Sequence, residues 1–128
     1  MFRSVRAIVT ALLVTVATMS IPADPAAAAA CSTGSSSSVR GGYVVTIYCP
    51  GAGFIDGYGS SLTDANLEAL YLYQLYTNSR LSCDGSSSSV ASGGYDVTIY
   101  CAGLGFIDGV GSTLTGAART ARLAATIG

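Results

Sequence analysis

The chain contains an internal repeat, and a repeat redefines the unit that has to fold. Residues 31–65 align with residues 83–117 at an offset of 52 residues, with 23 identities over 35 positions. The identities concentrate in the segments GGYVVTIYC/GGYDVTIYC and GFIDGYGSSLT/GFIDGVGSTLT. A role assigned to a residue in one copy must therefore also suit its counterpart in the other copy.

Residues 1–30, which precede the repeat, have the composition of a secretory signal peptide. Two arginines near the start are followed by an uncharged apolar stretch and then by a run of alanines. This order is typical of a cleaved signal, and the apolar stretch is too short for a membrane-spanning helix. We therefore expect a secreted protein without a stable membrane span, formed by residues 31–128. The alanine-rich, lysine-free composition suits a bacterial source.

The remaining chain has the length of one domain, in which residues 31–82 and 83–128 form two tandem repeats. Four cysteines in a secreted chain of this size indicate disulfides. Both copies keep the same spacing between their two cysteines although the residues between them differ, which favours the pairs Cys31–Cys49 and Cys83–Cys101. Pairing between the repeats remains an alternative.

Cys31 also has a second interpretation, because a cysteine directly after a signal peptide can carry the lipid anchor of a bacterial lipoprotein. Its counterpart Cys83 lies in the middle of the chain, where no such lipid can be attached. Equivalent residues are expected to have equivalent roles, so the repeat favours the disulfide. A lipid anchor through Cys31 stays open as the minor alternative.

Each copy contains one strongly predicted strand, preceded by a glycine pair that signals a hairpin. Side chains of a strand alternate between its two faces. The segment from Tyr43 to Cys49 therefore has one face of Tyr, Val, Ile and Cys. Its other face carries Val44, Thr46 and Tyr48, and because Val44 becomes Asp96 in the second copy, we expect this second face to be solvated.

A helix is predicted after the glycine-rich connection of each copy, with Thr63 and Thr115 as the capping residues. Two hairpin–helix units can bury their apolar faces together. We therefore predict an α+β fold: two tandem β-hairpin–helix repeats form one antiparallel sheet, which two helices cover on one face and disulfides stabilise.

The glycine-rich connections invite two ligand hypotheses. A phosphate-binding loop of the nucleotide-binding type requires a lysine, and the chain has none. Asp56 and Asp108 share the context Phe-Ile-Asp-Gly, which suggests calcium, but the spacing of an EF-hand is absent. We expect tight turns, close packing and a turn-stabilising role for the two carboxylates, with no metal and no cofactor; calcium binding stays an open question.

The composition argues against catalysis. The chain contains no histidine, which excludes the Ser-His-Asp and Cys-His mechanisms, and disulfides would occupy its cysteines. A small hydrolase using Asp56 and Asp108 as paired carboxylates is the least favoured alternative. We therefore expect no enzyme and no catalytic residue.

The same composition excludes nucleic acid as a partner, because the chain has a formal net charge of −1 and no basic cluster. Exposed tyrosines are frequent in protein interfaces. We therefore predict a small secreted binding module for an extracellular protein or surface partner, of which an inhibitor of an extracellular enzyme is a concrete version. The candidate binding residues are Tyr48, Tyr100, Thr46, Thr98, Asp56 and Asp108. The alternative is a cell-surface structural protein that self-associates through its uncharged, strand-forming segment VVTIYC.

Overall fold

The computed structural model describes residues 30–127, so the predicted signal peptide lies almost entirely outside the described residues. The same order of elements, three strands and a helix, occurs twice along the chain. The elements are β1 (Ser32–Val39), β2 (Gly42–Cys49), β3 (Gly53–Gly59), α1 (Leu62–Ser79), β4 (Cys83–Ala91), β5 (Gly94–Cys101), β6 (Gly105–Gly111) and α2 (Leu114–Ile127).

Each half forms a three-stranded antiparallel sheet, in the orders β1-β2-β3 and β4-β5-β6. The predicted hairpins are present as the β1–β2 and β4–β5 pairs. The turns between them contain Gly41 and Gly93, whose positive φ angles of 87° and 76° suit glycine. The serine-rich segments form the outer strands β1 and β4 of these hairpins.

The glycine-rich connections, which we expected to be loops, are the third strands β3 and β6. Their register continues the sheet, with Tyr48 opposite Phe54 and Thr46 opposite Asp56 in the first half. Glycine is unfavourable in strands, which explains why composition alone did not predict them. The repeating unit therefore has three strands and a helix instead of a hairpin and a helix.

The structure also differs from the predicted single sheet. Strands β3 and β4 lie side by side, yet no backbone ladder joins them among the described residues. A side-chain hydrogen bond connects the two strands instead: the Asp84 carboxylate accepts from the Asp56 amide at 2.5 Å. The α+β class and the two disulfides, Cys31–Cys49 and Cys83–Cys101, are as predicted.

Both helices cover the face of the sheets that carries valine, isoleucine and cysteine. Val45, Ile47 and Cys49 of the first half and their counterparts of the second half are buried in one apolar cluster with residues of α1 and α2. The opposite face of each sheet has no helix against it among the described residues. The side chains on this opposite face are therefore the ones that a binding partner could contact.

The capping residues of both helices lie two residues earlier than predicted. Ser61 caps α1 by accepting a hydrogen bond from the Asp64 amide, and the Thr113 hydroxyl accepts the corresponding bond from Gly116. Thr115, predicted as a cap, instead joins the two halves, because its hydroxyl donates to the Asp64 carboxylate at 3.0 Å and accepts from the Ser60 amide at 2.8 Å.

The helices approach the third strands at glycines. A Cβ atom at Gly57 would overlap the backbone of Ala65 and Ala69 in α1, and one at Gly109 would overlap Ala117 and Ala121 in α2. Neither Gly57 nor Gly109 has a positive φ, so the space beside them, and not the backbone conformation, requires glycine there. Glycine and alanine together thus allow backbone-to-backbone packing of helix on strand.

We expect Gly57→Ala to lower the free energy of unfolding by about 3 kcal/mol, since an added methyl group in a packed core forces the backbone apart. Gly53→Ala is the matched control in the same strand. Gly53 has a φ of 84° and no atom within 4 Å of an added Cβ, so only backbone strain of about 1 kcal/mol applies. Urea denaturation of both variants measures the difference, and equal losses would contradict the close packing.

Candidate functional site

The uncovered face of the two sheets carries the predicted binding residues. On β2 and β5 the outward side chains are Val44, Thr46 and Tyr48 and their counterparts Asp96, Thr98 and Tyr100. Tyr48 and Tyr100 are each 45% exposed, whereas Ile47 and Ile99 next to them in sequence are 2% exposed. The alternation predicted from the sequence is therefore present in both copies. We call this uncovered surface the open face.

Two aromatic pairs dominate the open face. The Tyr48 and Phe54 rings contact edge to face with centroids 5.2 Å apart, and the Tyr100 and Phe106 rings do so at 5.0 Å. Phe54 is 67% exposed and Phe106 is 70% exposed. Sequence reasoning missed both phenylalanines, because it treated their segments as loops. The alternation of Phe54, Ile55 and Asp56 was the available signal.

A threonine–aspartate pair lies one step along the strands from each aromatic pair. The Thr46 hydroxyl donates to Asp56 Oδ1 at 2.5 Å, and the Thr98 hydroxyl donates to Asp108 Oδ1 at 2.6 Å. Each aspartate is thus held by the threonine directly opposite it on the neighbouring strand. The six predicted residues form two matching groups of three, one on each sheet.

The same geometry bears on the alternatives for Asp56 and Asp108. The two carboxylates belong to different sheets, and each is bonded to a threonine of its own sheet. Among residues 30–127 there is no group of three or more His, Cys, Asp or Glu side chains arranged to hold a metal ion. All four cysteines are in disulfides, and no free thiol remains.

The seam between β3 and β4 carries a third carboxylate. Asp84 has no counterpart in the first copy, where Ser32 occupies the position. Burial raises the pKa of Asp84; the hydrogen bond from the Asp56 amide opposes this rise, and the nearby Asp56 carboxylate adds to it. Burial and the same two carboxylates raise the pKa of Tyr58, which is only 8% exposed because β4 covers it.

A polar pocket between the helices was not predicted. Arg122 of α2 donates to Glu68 of α1 at 2.7 Å, and its guanidinium lies 4.2 Å from the centre of the Tyr71 ring. Burial raises the pKa of Glu68, and the hydrogen bond and charge of Arg122 counteract that rise. The pocket of about 170 Å³ also includes Asp64 and Arg119. Its ion pair joins residues 54 positions apart, which no local sequence pattern signals.

An apolar cleft of about 490 Å³ lies where the C-terminal ends of the two helices meet the β5–β6 turn. Leu75, Leu81 and Leu104 line it together with Ala125 and three small polar residues. Leu104 is 45% exposed at the rim. The residues that line the cleft include no charged side chain, so it is mainly an apolar contact surface.

No family model matches this chain, and no curated protein matches it. Its function therefore has to be argued from the geometry alone.

None of the helices within residues 30–127 combines the length and the apolar character of a membrane-crossing helix. The two disulfides are typical of an oxidising compartment. Because the Cys31 sulfur is bonded to Cys49, it is not available for the lipid attachment considered above.

We expect Arg122→Met to lower the free energy of unfolding by about 3 kcal/mol at pH 7, because it leaves the Glu68 charge buried without a partner. Losing Arg122 raises the pKa of Glu68 further, so the penalty exists above the unfolded-state pKa of about 4.3 and disappears below it. Thermal unfolding of the variant at pH 7 and pH 3.5 measures this change. Arg119→Met, which removes an exposed arginine of the same helix, is the control; an equal loss in both variants would contradict the buried pair.

We expect Asp84→Asn to stabilise the protein at neutral pH, because the amide keeps the hydrogen bond from Asp56 and removes a partly buried charge. The raised folded-state pKa means that the wild type loses stability as the pH rises from about 4 through that pKa. The advantage of the variant should therefore be small at pH 3 and larger at pH 7. Unfolding curves at both values test this, and a variant less stable than the wild type at pH 7 would contradict it.

Proposed function

We propose that the protein is a small, secreted, non-enzymatic binding module that engages an extracellular protein through its open face. Inhibition of an extracellular enzyme is the concrete form of this activity that we would test first. The observation that carries the proposal is the pair of exposed aromatic clusters, Tyr48–Phe54 and Tyr100–Phe106, on a surface that neither α1 nor α2 covers.

Exposed aromatic pairs of this kind are costly for a protein that binds nothing. Large apolar side chains gain free energy when they leave water, and contiguous exposed apolar patches usually mark interaction sites. Tyrosine and phenylalanine are also enriched in the cores of protein interfaces. Four such rings in two equal pairs, next to hydrogen-bonding Thr and Asp side chains, match the composition of a binding surface with apolar anchors and polar neighbours.

The disulfides support the same proposal by making the open face rigid. Cys49 and Cys101 directly follow Tyr48 and Tyr100 in sequence, and each is bonded to the beginning of its own unit. The strand that bears each aromatic pair is therefore fixed at its end by a covalent bond. A surface that is ordered before binding loses less conformational entropy on association, which favours affinity.

Self-association into a surface structure is the second candidate. The segment VVTIYC that motivated it lies in β2, whose backbone is paired on both sides by β1 and β3. The observation that supports the candidate is instead the edge strand β6, where Val110 is 56% exposed. Unpaired edge strands are sites of strand addition between molecules. The hydrolase candidate lacks support of this kind, because Asp56 and Asp108 are in different sheets.

The double variant Phe54→Ala/Phe106→Ala tests the binding module. We expect it to keep the fold, since both rings are mostly exposed, and to lose at least tenfold in affinity for the partner. An anchor residue contributes about 2 kcal/mol, and about 1.4 kcal/mol corresponds to tenfold. Binding to secreted proteins of the producing culture and inhibition of secreted hydrolases would be measured by quantitative capture and by activity assays.

Leu62→Ala/Leu123→Ala is the matched control for that variant. It removes two exposed apolar side chains, each 49% exposed, from the helices. A partner that binds the wild type and the control but not the aromatic variant would support the proposal. A partner that binds the aromatic variant as tightly as the wild type would contradict it, as would the absence of any partner at micromolar concentration.

A further inference from the structure

The charged residues of the fold are segregated between its two sides. None of the six strands contains an arginine or a lysine. The four arginines of the described chain lie in the β1–β2 turn, at the end of α1 and in α2: Arg40, Arg80, Arg119 and Arg122. Four of the six acidic residues of residues 30–127 are in the strands, and all four side chains belong to the open face: Asp56, Asp84, Asp96 and Asp108.

We propose that the open face recognises a cationic polypeptide, and that arginine side chains of the partner stack on the aromatic pairs and bond to the neighbouring carboxylates. This inference rests on the proposed function, because it names the partner class of the same surface. The proposed partner is a protein with a basic surface or a basic segment. Binding of a neutral polysaccharide or of an acidic partner through the open face would contradict the inference.

The aromatic pairs supply the first half of such a recognition site. A guanidinium group is attracted to the face of a tyrosine or phenylalanine ring, and it is planar, so that it can stack there. This protein already uses the contact internally, where the Arg122 guanidinium lies 4.2 Å from the centre of the Tyr71 ring. Within residues 30–127 the arginine–ring contacts are with Tyr71 and Tyr76, and neither Phe54 nor Phe106 takes part in one.

The carboxylates supply the second half. Residues two positions apart on a strand are about 7 Å apart on the same face, so Asp56 and Asp108 are within reach of a guanidinium on Phe54 or Phe106. The threonine hydroxyls bond to Oδ1 of both aspartates. The second oxygen of each accepts no hydrogen bond from the residues that the structure describes. Charge-assisted bonds from arginine to carboxylate are among the stronger hydrogen bonds available.

Asp96 adds an independent observation. Its Oδ1 atom is buried, yet no donor of the described chain bonds to it. A buried polar atom without a partner is costly, and a partner cannot reach it directly, so the Asp96 carboxylate adds negative charge to the open face and not a hydrogen bond from its buried oxygen. The corresponding position in the first copy is Val44, so only the second half has this additional negative charge. We therefore expect the second half to bind a cation more tightly than the first.

The test uses the disulfide-bonded protein and a short peptide that carries two arginines and otherwise only uncharged residues. The matched peptide carries citrulline, which has the same shape without the charge, in place of each arginine. We expect ¹⁵N chemical-shift changes in β2, β3, β5 and β6 on adding the arginine peptide. We also expect it to bind about tenfold more tightly than the citrulline peptide, which corresponds to about 1.4 kcal/mol for the cation–π contacts and the bonds to the carboxylates together. Raising the salt concentration from 0.05 M to 0.5 M should lower the affinity for the arginine peptide severalfold.

Asp56→Asn/Asp108→Asn removes the charges while keeping an acceptor for the threonine hydroxyls, so the variant is expected to fold. Its preference for the arginine peptide over the citrulline peptide should be severalfold smaller than that of the wild type, because the rings remain and the bonds to the carboxylates are lost. Asp64→Asn, which removes a carboxylate from the helix side, should retain the preference. Equal binding of both peptides to the wild type, no binding of either at millimolar concentration, or equal effects of the two Asn variants would overturn the inference.

The outcome is separable from that of the proposed function. If a partner requires Phe54 and Phe106 but is acidic or neutral and remains bound at 0.5 M salt, the open face is a binding surface and the cationic inference is wrong. If the arginine peptide binds elsewhere, with shift changes confined to the helices, the inference also fails. If no partner requires the two phenylalanines, the proposed function itself fails.

Discussion

The fold depends on the contact of each helix backbone with a glycine of the third strand. At Gly57 and Gly109 the helix lies so close that no side chain fits between the two backbones. The alanines Ala65, Ala69 and Ala117 on the helix side are fully buried. This close contact commits one face of each sheet to the helices. Because strand side chains alternate, the phenylalanine and aspartate of the same strand must then project to the other face.

The packing of the helices on one face of each sheet explains how the protein acquires two different sides. The covered side holds valine, isoleucine, the disulfides and, between the helices, the Glu68–Arg122 ion pair. The open face holds the aromatic pairs and four aspartates, without a basic residue in any strand. The formal net charge of −1 does not reveal this separation, because it sums the six arginines and seven acidic residues of the whole chain without regard to their positions. Segregation of charge, and not its total, determines what the surface attracts.

The repeat made much of this architecture predictable. Equal cysteine spacing in two copies identified the disulfide pairs, and the replacement of Val44 by Asp96 identified the outward face of the strand. The third strand was missed because its glycines resemble a loop, although they are needed where the helix touches. The separation into two sheets was not signalled by the repeat, because Asp84, which bonds to the Asp56 amide at the seam, is replaced by Ser32 in the first copy. The Glu68–Arg122 contact could not be predicted, because it depends on how two distant helices meet.

The central claim is that the open face is accessible in solution while the other side is covered, and hydroxyl-radical footprinting of the purified protein tests it most directly. Oxidation would be quantified at each ring over protein concentrations from micromolar to millimolar. We expect rapid oxidation of Tyr48, Phe54, Tyr100 and Phe106 at every concentration and strong protection of Tyr73, which is 8% exposed. Protection of the four exposed rings at micromolar concentration, or protection that grows with concentration, would contradict an open binding face and would instead indicate a covered or self-associating surface.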